Sequence, residues 1–93
     1  MYIVVRSWAN AAELADVMQR KQQEVHDILS AVPGFVAYYA TRSGDTVTSV
    51  TVCDSKTGTQ ESTRLAGEWV KKNLSGSSIG APQIAEGETF IQF

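Results

Sequence analysis

The chain has 93 residues, 43% of them hydrophobic and 19% charged, and carries a net charge of −2 at neutral pH. That is enough chain for one domain, residues 1–93, and too little for two. The weakly acidic balance offers no basic footprint for a phosphate backbone, which speaks against nucleic-acid binding, and no apolar run reaches the roughly 18 residues of a membrane span. The opening MYIVVRSW is too short for a signal peptide and no A-x-A pattern follows it. A lone cysteine, Cys53, rules out an internal disulfide and fits a reducing cytoplasm. A domain of this size buries only about 60–65% of the surface its unfolded chain exposes, so its core is thin and pairing with a second copy is a common source of stability.

In chain order, YIVVRSW (2–8) is a compact β-branched run and is predicted as a strand. In the NAAE that follows, Asn10 can accept from an orphan backbone N–H and Glu13 stands where a capping box needs it. One helix is predicted from about Ala11 to about Ser30, because Leu14, Val17, Met18, Val25, Ile28 and Leu29 recur at three- and four-residue steps. At about 1.5 Å per residue it is roughly 30 Å long, enough to cross a sheet. Pro33 and Gly34 end it. Phe35–Thr41 and Thr46–Cys53 then form an antiparallel hairpin around RSGD (42–45), with Gly44 as the left-handed residue.

Asp54 or Ser55 caps a second helix whose buried stripe is Leu65, Ala66, Trp69, Val70 and Leu74. Gly58 weakens its first turn by about 1 kcal/mol relative to alanine. Arg64, Glu68 and Lys72 are spaced to pair along its outer face. SGSSIGAP (75–82) reads as a small-residue loop and ETFIQF (88–93) as the last strand. The order β-α-β-β-α-β is the ferredoxin-like plait, an α+β fold with a four-stranded antiparallel sheet and both helices on one face.

Alternation along each predicted strand leaves apolar groups on both sides. Ile3 and Val5 face away from Tyr2, Val4 and Trp8; Phe35, Ala37 and Tyr39 face away from Tyr38; Val50 and Val52 face away from Val47 and Cys53. Sheets with this pattern are usually covered on both faces. The helices supply one cover, and the expected second is another copy of the chain, giving a sheet-to-sheet homodimer.

The stretch VPGFVAYYATRSGDTVTSVTVCDSKTGTQESTRLAGEWVKKNL resembles the dimeric α/β-barrel superfamily, and within it the antibiotic-biosynthesis-monooxygenase (ABM) domains. The resemblance rests on a helix ending in PGF, a hairpin, a strand closing at Asp54 and an SK that opens the second helix, and it spans nearly the whole chain. It implies a dimeric barrel and an activity such as cofactor-independent monooxygenation of a small phenol or quinol in an apolar pocket. It also allows a non-catalytic binding or accessory protein, since fold does not carry function. Haem-degrading members of the superfamily use a first-strand asparagine, a second-helix tryptophan and a histidine near that helix's end. Here the corresponding stretches read Arg6-Ser7 and WVKKNL, without that histidine, so no cofactor is expected. Polyketide-oxidising members place asparagine four residues before tryptophan on the second helix; this chain has Trp69 four residues before Asn73.

The resemblance and the residues together nominate His26, Trp69 and Asn73 as catalytic candidates. Histidine is the side chain type best suited to act as a base near neutrality; the other reading of His26 is a surface histidine. Trp8, Tyr38, Tyr39 and Trp69 are candidates for binding a small aromatic, and for Trp69 the alternative is core packing. Arg6 and Arg42 are carboxylate-binding candidates whose other reading is a solvated strand end. Cys53 reads as a small buried hydrophobe. One histidine and one cysteine are too few for a usual zinc site, and SGSSIG lacks the lysine and spacing of a P-loop.

Overall fold

Strand alternation sets the first layer. In β1 (Tyr2–Trp8) the residues Val4, Arg6 and Trp8 are buried, while Ile3, Val5 and Ser7 are half-exposed on the other side. The computed structural model describes residues 1–93 and continues with α1 (Ala12–Arg20), α2 (Gln22–Ser30), β2 (Phe35–Ser43), β3 (Thr46–Cys53), α3 (Lys56–Asn73) and β4 (Gln83–Glu88). The sheet order is β2-β3-β1-β4, antiparallel throughout. This is the expected plait, with the helices on the face that carries Val4, Arg6, Trp8, Val47, Ser49, Thr51 and Cys53. No helix is long and apolar enough to cross a membrane.

Four local expectations need correction. The predicted 11–30 helix is two helices broken at Lys21, whose φ of −115° and ψ of 33° leave the helical region. Neither proline nor glycine causes the break. It redirects the chain, so that α1 packs on β3 and α2 leans over the edge strand β2. Asn10 does not cap: it takes a left-handed φ of 53°, and the Ala11 N–H instead donates to the Asp45 carbonyl at 2.7 Å.

The last strand is displaced toward the N-terminus. Residues 83–88 pair with β1, and the ladder ends where Thr89 N–H donates to the Met1 carbonyl at 2.8 Å. Phe90, Ile91 and Phe93 lie beyond the paired residues and are exposed. The period-two sorting of β2 also fails at its start. A register shift between Phe35 and Ala37 sets Phe35 opposite Cys53 but Ala37 opposite Val52, so these two residues take opposite faces.

The apolar core sits toward one end of the molecule, where Trp8, Ala11, Leu14, Ala15, Val17, Val47, Trp69 and Leu74 cluster. At the other end α3 lies close to the sheet because Gly58 is buried. A Cβ there would stand 2.9 Å from the Cys53 Cβ and 3.1 Å from the Pro33 carbonyl oxygen. The glycine therefore serves close helix–strand approach, which outweighs its poor helix propensity. Gly58→Ala, stabilising on propensity alone, is expected instead to destabilise the fold by about 1–3 kcal/mol through overpacking, measured by urea denaturation.

Candidate functional site

Between helices and sheet the interior is not uniformly apolar. β1 points Arg6 inward, where the residue is 1% exposed. Its Nε donates to Ser49 Oγ at 3.2 Å, Nη1 to Ser62 Oγ at 3.2 Å and Thr63 Oγ1 at 2.9 Å, and Nη2 to Thr51 Oγ1 at 2.5 Å. Every partner is a neutral hydroxyl, from β3 on one side and α3 on the other. Burial lowers the Arg6 pKa, with Tyr38 and Cys53 acting in the opposite direction; a guanidinium starts so high that it stays charged. Burial raises the Tyr38 phenol above its ordinary value, while the Arg6 charge and the Ser49 hydroxyl pull it back.

Arg6 was legible as a carboxylate candidate but not as a buried one. It is not a solvated strand end, because β1 is a central strand of the sheet. The signal that could have located it was the inward row Ser49, Thr51 on β3 and Thr59, Ser62 on α3. These small polar side chains stand where a thin core would otherwise be aliphatic.

The second-helix candidates make contacts between the helices. Trp69 is 7% exposed and its indole Nε1–H donates to Glu24 Oε1 at 3.0 Å, joining α3 to α2. Asn73 donates through Nδ2 to the Trp69 carbonyl at 2.9 Å and accepts from Lys21 Nζ at 2.6 Å, which ties the end of α3 to the break between α1 and α2. Trp8 is buried in the same cluster. The cavity bounded by Trp8, Tyr38, Leu65 and Trp69 has a volume of only 30 Å³ and is wholly apolar. That is room for about one water and not for an aromatic ring.

A larger space lies on the other side of α2. A groove of 620 Å³ runs between α1–α2 and the β2 edge, and eight of its eleven lining residues are hydrophobic. Met18, Val25, Leu29 and Phe35 form its walls, and His26, Tyr38 and Tyr39 also line it. Three of the nominated residues therefore meet here, whereas Trp69, Asn73 and Trp8 do not reach it. The two tyrosines converge although they alternate, because β2 is an edge strand and the groove wraps around it.

The His26 side chain is 67% exposed at the groove rim. Its Nδ1 lies 3.2 Å from Asp27 Oδ1 and 3.5 Å from Gln23 Nε2. Gln23 Nε2 also donates to Asp27 Oδ1 at 2.8 Å. The Gln23 and His26 contacts hold the Asp27 carboxyl below its usual range. A carboxylate at Nδ1 selects the tautomer with its proton there and leaves the Nε2 lone pair free. This Gln23–His26–Asp27 cluster was not anticipated, though its spacing on one helix could have suggested it. Arg42, by contrast, pairs with Asp16 at 3.1 Å on the exposed surface.

No family model matches the sequence, and no curated protein matches it. Solved structures do. A Deinococcus radiodurans protein assigned as an antibiotic biosynthesis monooxygenase superposes with a TM-score of 0.74 at 13% identity, over 100% of this chain and 96% of that one. A dimeric ferredoxin-like protein from an uncultured marine organism gives 0.70 at 15% identity, over 100% and 98%. The ActVA-Orf6 monooxygenase of Streptomyces coelicolor, solved with nanaomycin D, gives 0.69 at 16% identity, over 99% and 89%. The class defined by fold is thus the ferredoxin-like plait. More narrowly, the chain has the fold of the ABM-type proteins, as its resemblance to them implies.

Trp69→Phe removes one hydrogen bond to a charged acceptor and is expected to lower stability by about 1–2 kcal/mol. The same variant should leave ligand binding in the α2–β2 groove unchanged, as a thermal melt and an NMR titration would register together.

Proposed function

We propose that this protein is a small homodimeric domain that binds a phenol or quinol in the α2–β2 groove and oxidises it with O₂, without a cofactor. The groove carries the reading: it is apolar, of ligand size, and has one histidine with a free ring nitrogen at its rim. In that role His26 Nε2 takes the phenolic proton. The electron-rich anion then adds O₂ at the position para to its oxygen, forming a hydroperoxide. Loss of water from that hydroperoxide leaves the quinone, so that phenol and O₂ become quinone and water; a quinol, whose para carbon already bears oxygen, instead passes two electrons and two protons to O₂ and gives quinone and hydrogen peroxide. Tyr38 and Tyr39 flank the ring and can donate to the oxygen as charge develops. The monooxygenases among the solved structures of this fold lend the reaction class its support. The lone buried Cys53 suits residence in the reducing cytoplasm.

A second reading is favoured by a different observation. Trp69, Asn73 and Trp8 are all committed to packing or to interhelical hydrogen bonds, and the cavity among them is too small for a substrate. A non-catalytic domain that binds the same ligand in the groove would look alike. Oxygen uptake separates the two, because only the enzyme consumes O₂.

The homodimer belongs to the same proposal. Ile3, Val5, Ala37, Val50 and Val52 form a half-exposed apolar patch on the helix-free face, and Tyr39 stands beside it. Phe90, Ile91 and Phe93 extend the apolar surface beyond the sheet. A second copy placed sheet to sheet would bury all of it, and a standard interface of about 800 Å² per partner is within reach of a domain this size.

Two measurements test these statements. Oxygen uptake with a panel of phenols and hydroquinones should be detectable for the native protein. His26→Ala should reduce it at least about tenfold at neutral pH, the lower range for losing a general base. Uptake unaffected by that substitution would remove His26 from the reaction. Light scattering at micromolar concentration should give a dimer, and Val50→Glu, which places a charge in the patch, should give a folded monomer.

A further inference from the structure

The buried Arg6 faces a second opening, separate from the α2–β2 groove. A cleft of 470 Å³ lies between α3, the 75–82 loop and β4, and sixteen residues line it. Two of them, Arg6 and Lys71, are cationic and none is acidic. That is notable in a chain whose net charge is −2. Thr63, Val70 and Lys71 fall on one face of α3 at seven- and eight-residue steps, with Ala66 and Gly67 between them. Of the two, Lys71 is exposed and Arg6 is buried.

We propose that this cleft binds a small organic carboxylate, with the anion toward Arg6, Thr63 and Lys71 and an apolar body against Trp8, Val70 and Ile79.

Three observations support it. Arg6 has lost its water but has no carboxylate partner; four hydroxyls occupy four of its five N–H donors. Hydroxyls satisfy hydrogen bonds without neutralising the charge, so an incoming anion meets a cation whose desolvation is already complete. Next, Thr63 Oγ1 accepts from Arg6 Nη1 at 2.9 Å, and both residues line the cleft. Having accepted, the hydroxyl keeps its own proton to donate to a ligand oxygen. Finally, the remaining wall is largely apolar, with Trp8, Val70, Leu74, Ile79 and Ile84 on it. That suits a carboxylate borne on a hydrophobic body better than a bare inorganic anion.

The probe is benzoate, set against its neutral counterpart benzamide and against inorganic phosphate, each titrated into the full chain and followed by backbone NMR. Benzoate should shift resonances of Thr63–Lys71 and of the 75–82 loop and bind at least about tenfold tighter than benzamide, as a charge-assisted contact requires. Lys71→Glu should weaken benzoate about threefold or more while sparing benzamide. Arg6→Met removes the base of the site but also four interior hydrogen bonds, so Gly67→Phe provides a variant independent of that network. Gly67 lines the cleft, and a Cβ there meets nothing within 4 Å, so the substitution meets no clash at the backbone. It should abolish benzoate binding in a protein with a native circular dichroism spectrum. His26→Ala should leave benzoate affinity unchanged, which separates this site from the oxidation proposed for the groove. Equal affinity for benzoate and benzamide, tighter binding of phosphate than benzoate, shifts confined to the α2–β2 groove, or retention of binding in Gly67→Phe would each overturn the assignment.

Discussion

The arrangement of this domain follows from one charge, the Arg6 guanidinium, held in the layer between sheet and helices. Leaving an isolated cation in an apolar interior is costly, and four hydroxyl oxygens are what make it tolerable here. Those hydroxyls dictate composition around them: β3 must turn Ser49 and Thr51 inward, and α3 must present Ser62 and Thr63 on its sheet-facing side. The aliphatic and indole side chains are displaced to the end where Trp8, Leu14, Val47 and Trp69 gather. A 93-residue chain thus divides its small interior into a dry half and a hydroxyl-lined half.

The helical layer is held by two interhelical hydrogen bonds of different kinds. Glu24 accepts from the Trp69 indole N–H, and Lys21 donates to the Asn73 side-chain Oδ1 at the break in the first helical segment. Both join α3 to the helical segment beside it, while the groove lies on the other side of α2, against β2. The residues that a family resemblance nominated on α3 are the ones that fasten this layer together. The nominated residues that line the groove, His26, Tyr38 and Tyr39, are on α2 and β2.

How far the sequence could be read depends on range. The strands β1 and β3 and the end of α2 follow from β-branched runs and from Pro33-Gly34, all of them local signals, and they stand where expected. So does the sorting of Ile3 and Val5 from Val4 and Trp8. The break at Lys21 has no proline or glycine to mark it; its one local sign is a lapse of the apolar stripe, with Lys21 and Gln22 between Met18 and Val25. ETFIQF read as a strand on propensity, but the residues that pair with β1 are 83–88, and pairing is decided by the neighbour rather than by the segment. Of the nominated site residues, His26, Tyr38 and Tyr39 do meet, through tertiary placement that spacing alone could not reveal. Arg6 misled because its burial depends on hydroxyls more than forty residues away in the chain.

The contact between Gly58 and Cys53 has a chemical consequence. The thiol has no exposure, and the backbone of α3 lies over it; burial also raises its pKa and keeps it protonated. An alkylating reagent can reach that sulfur only after α3 lifts from the sheet. The rate of labelling therefore counts opening events, and a single native cysteine becomes a built-in clock for the detachment of one helix.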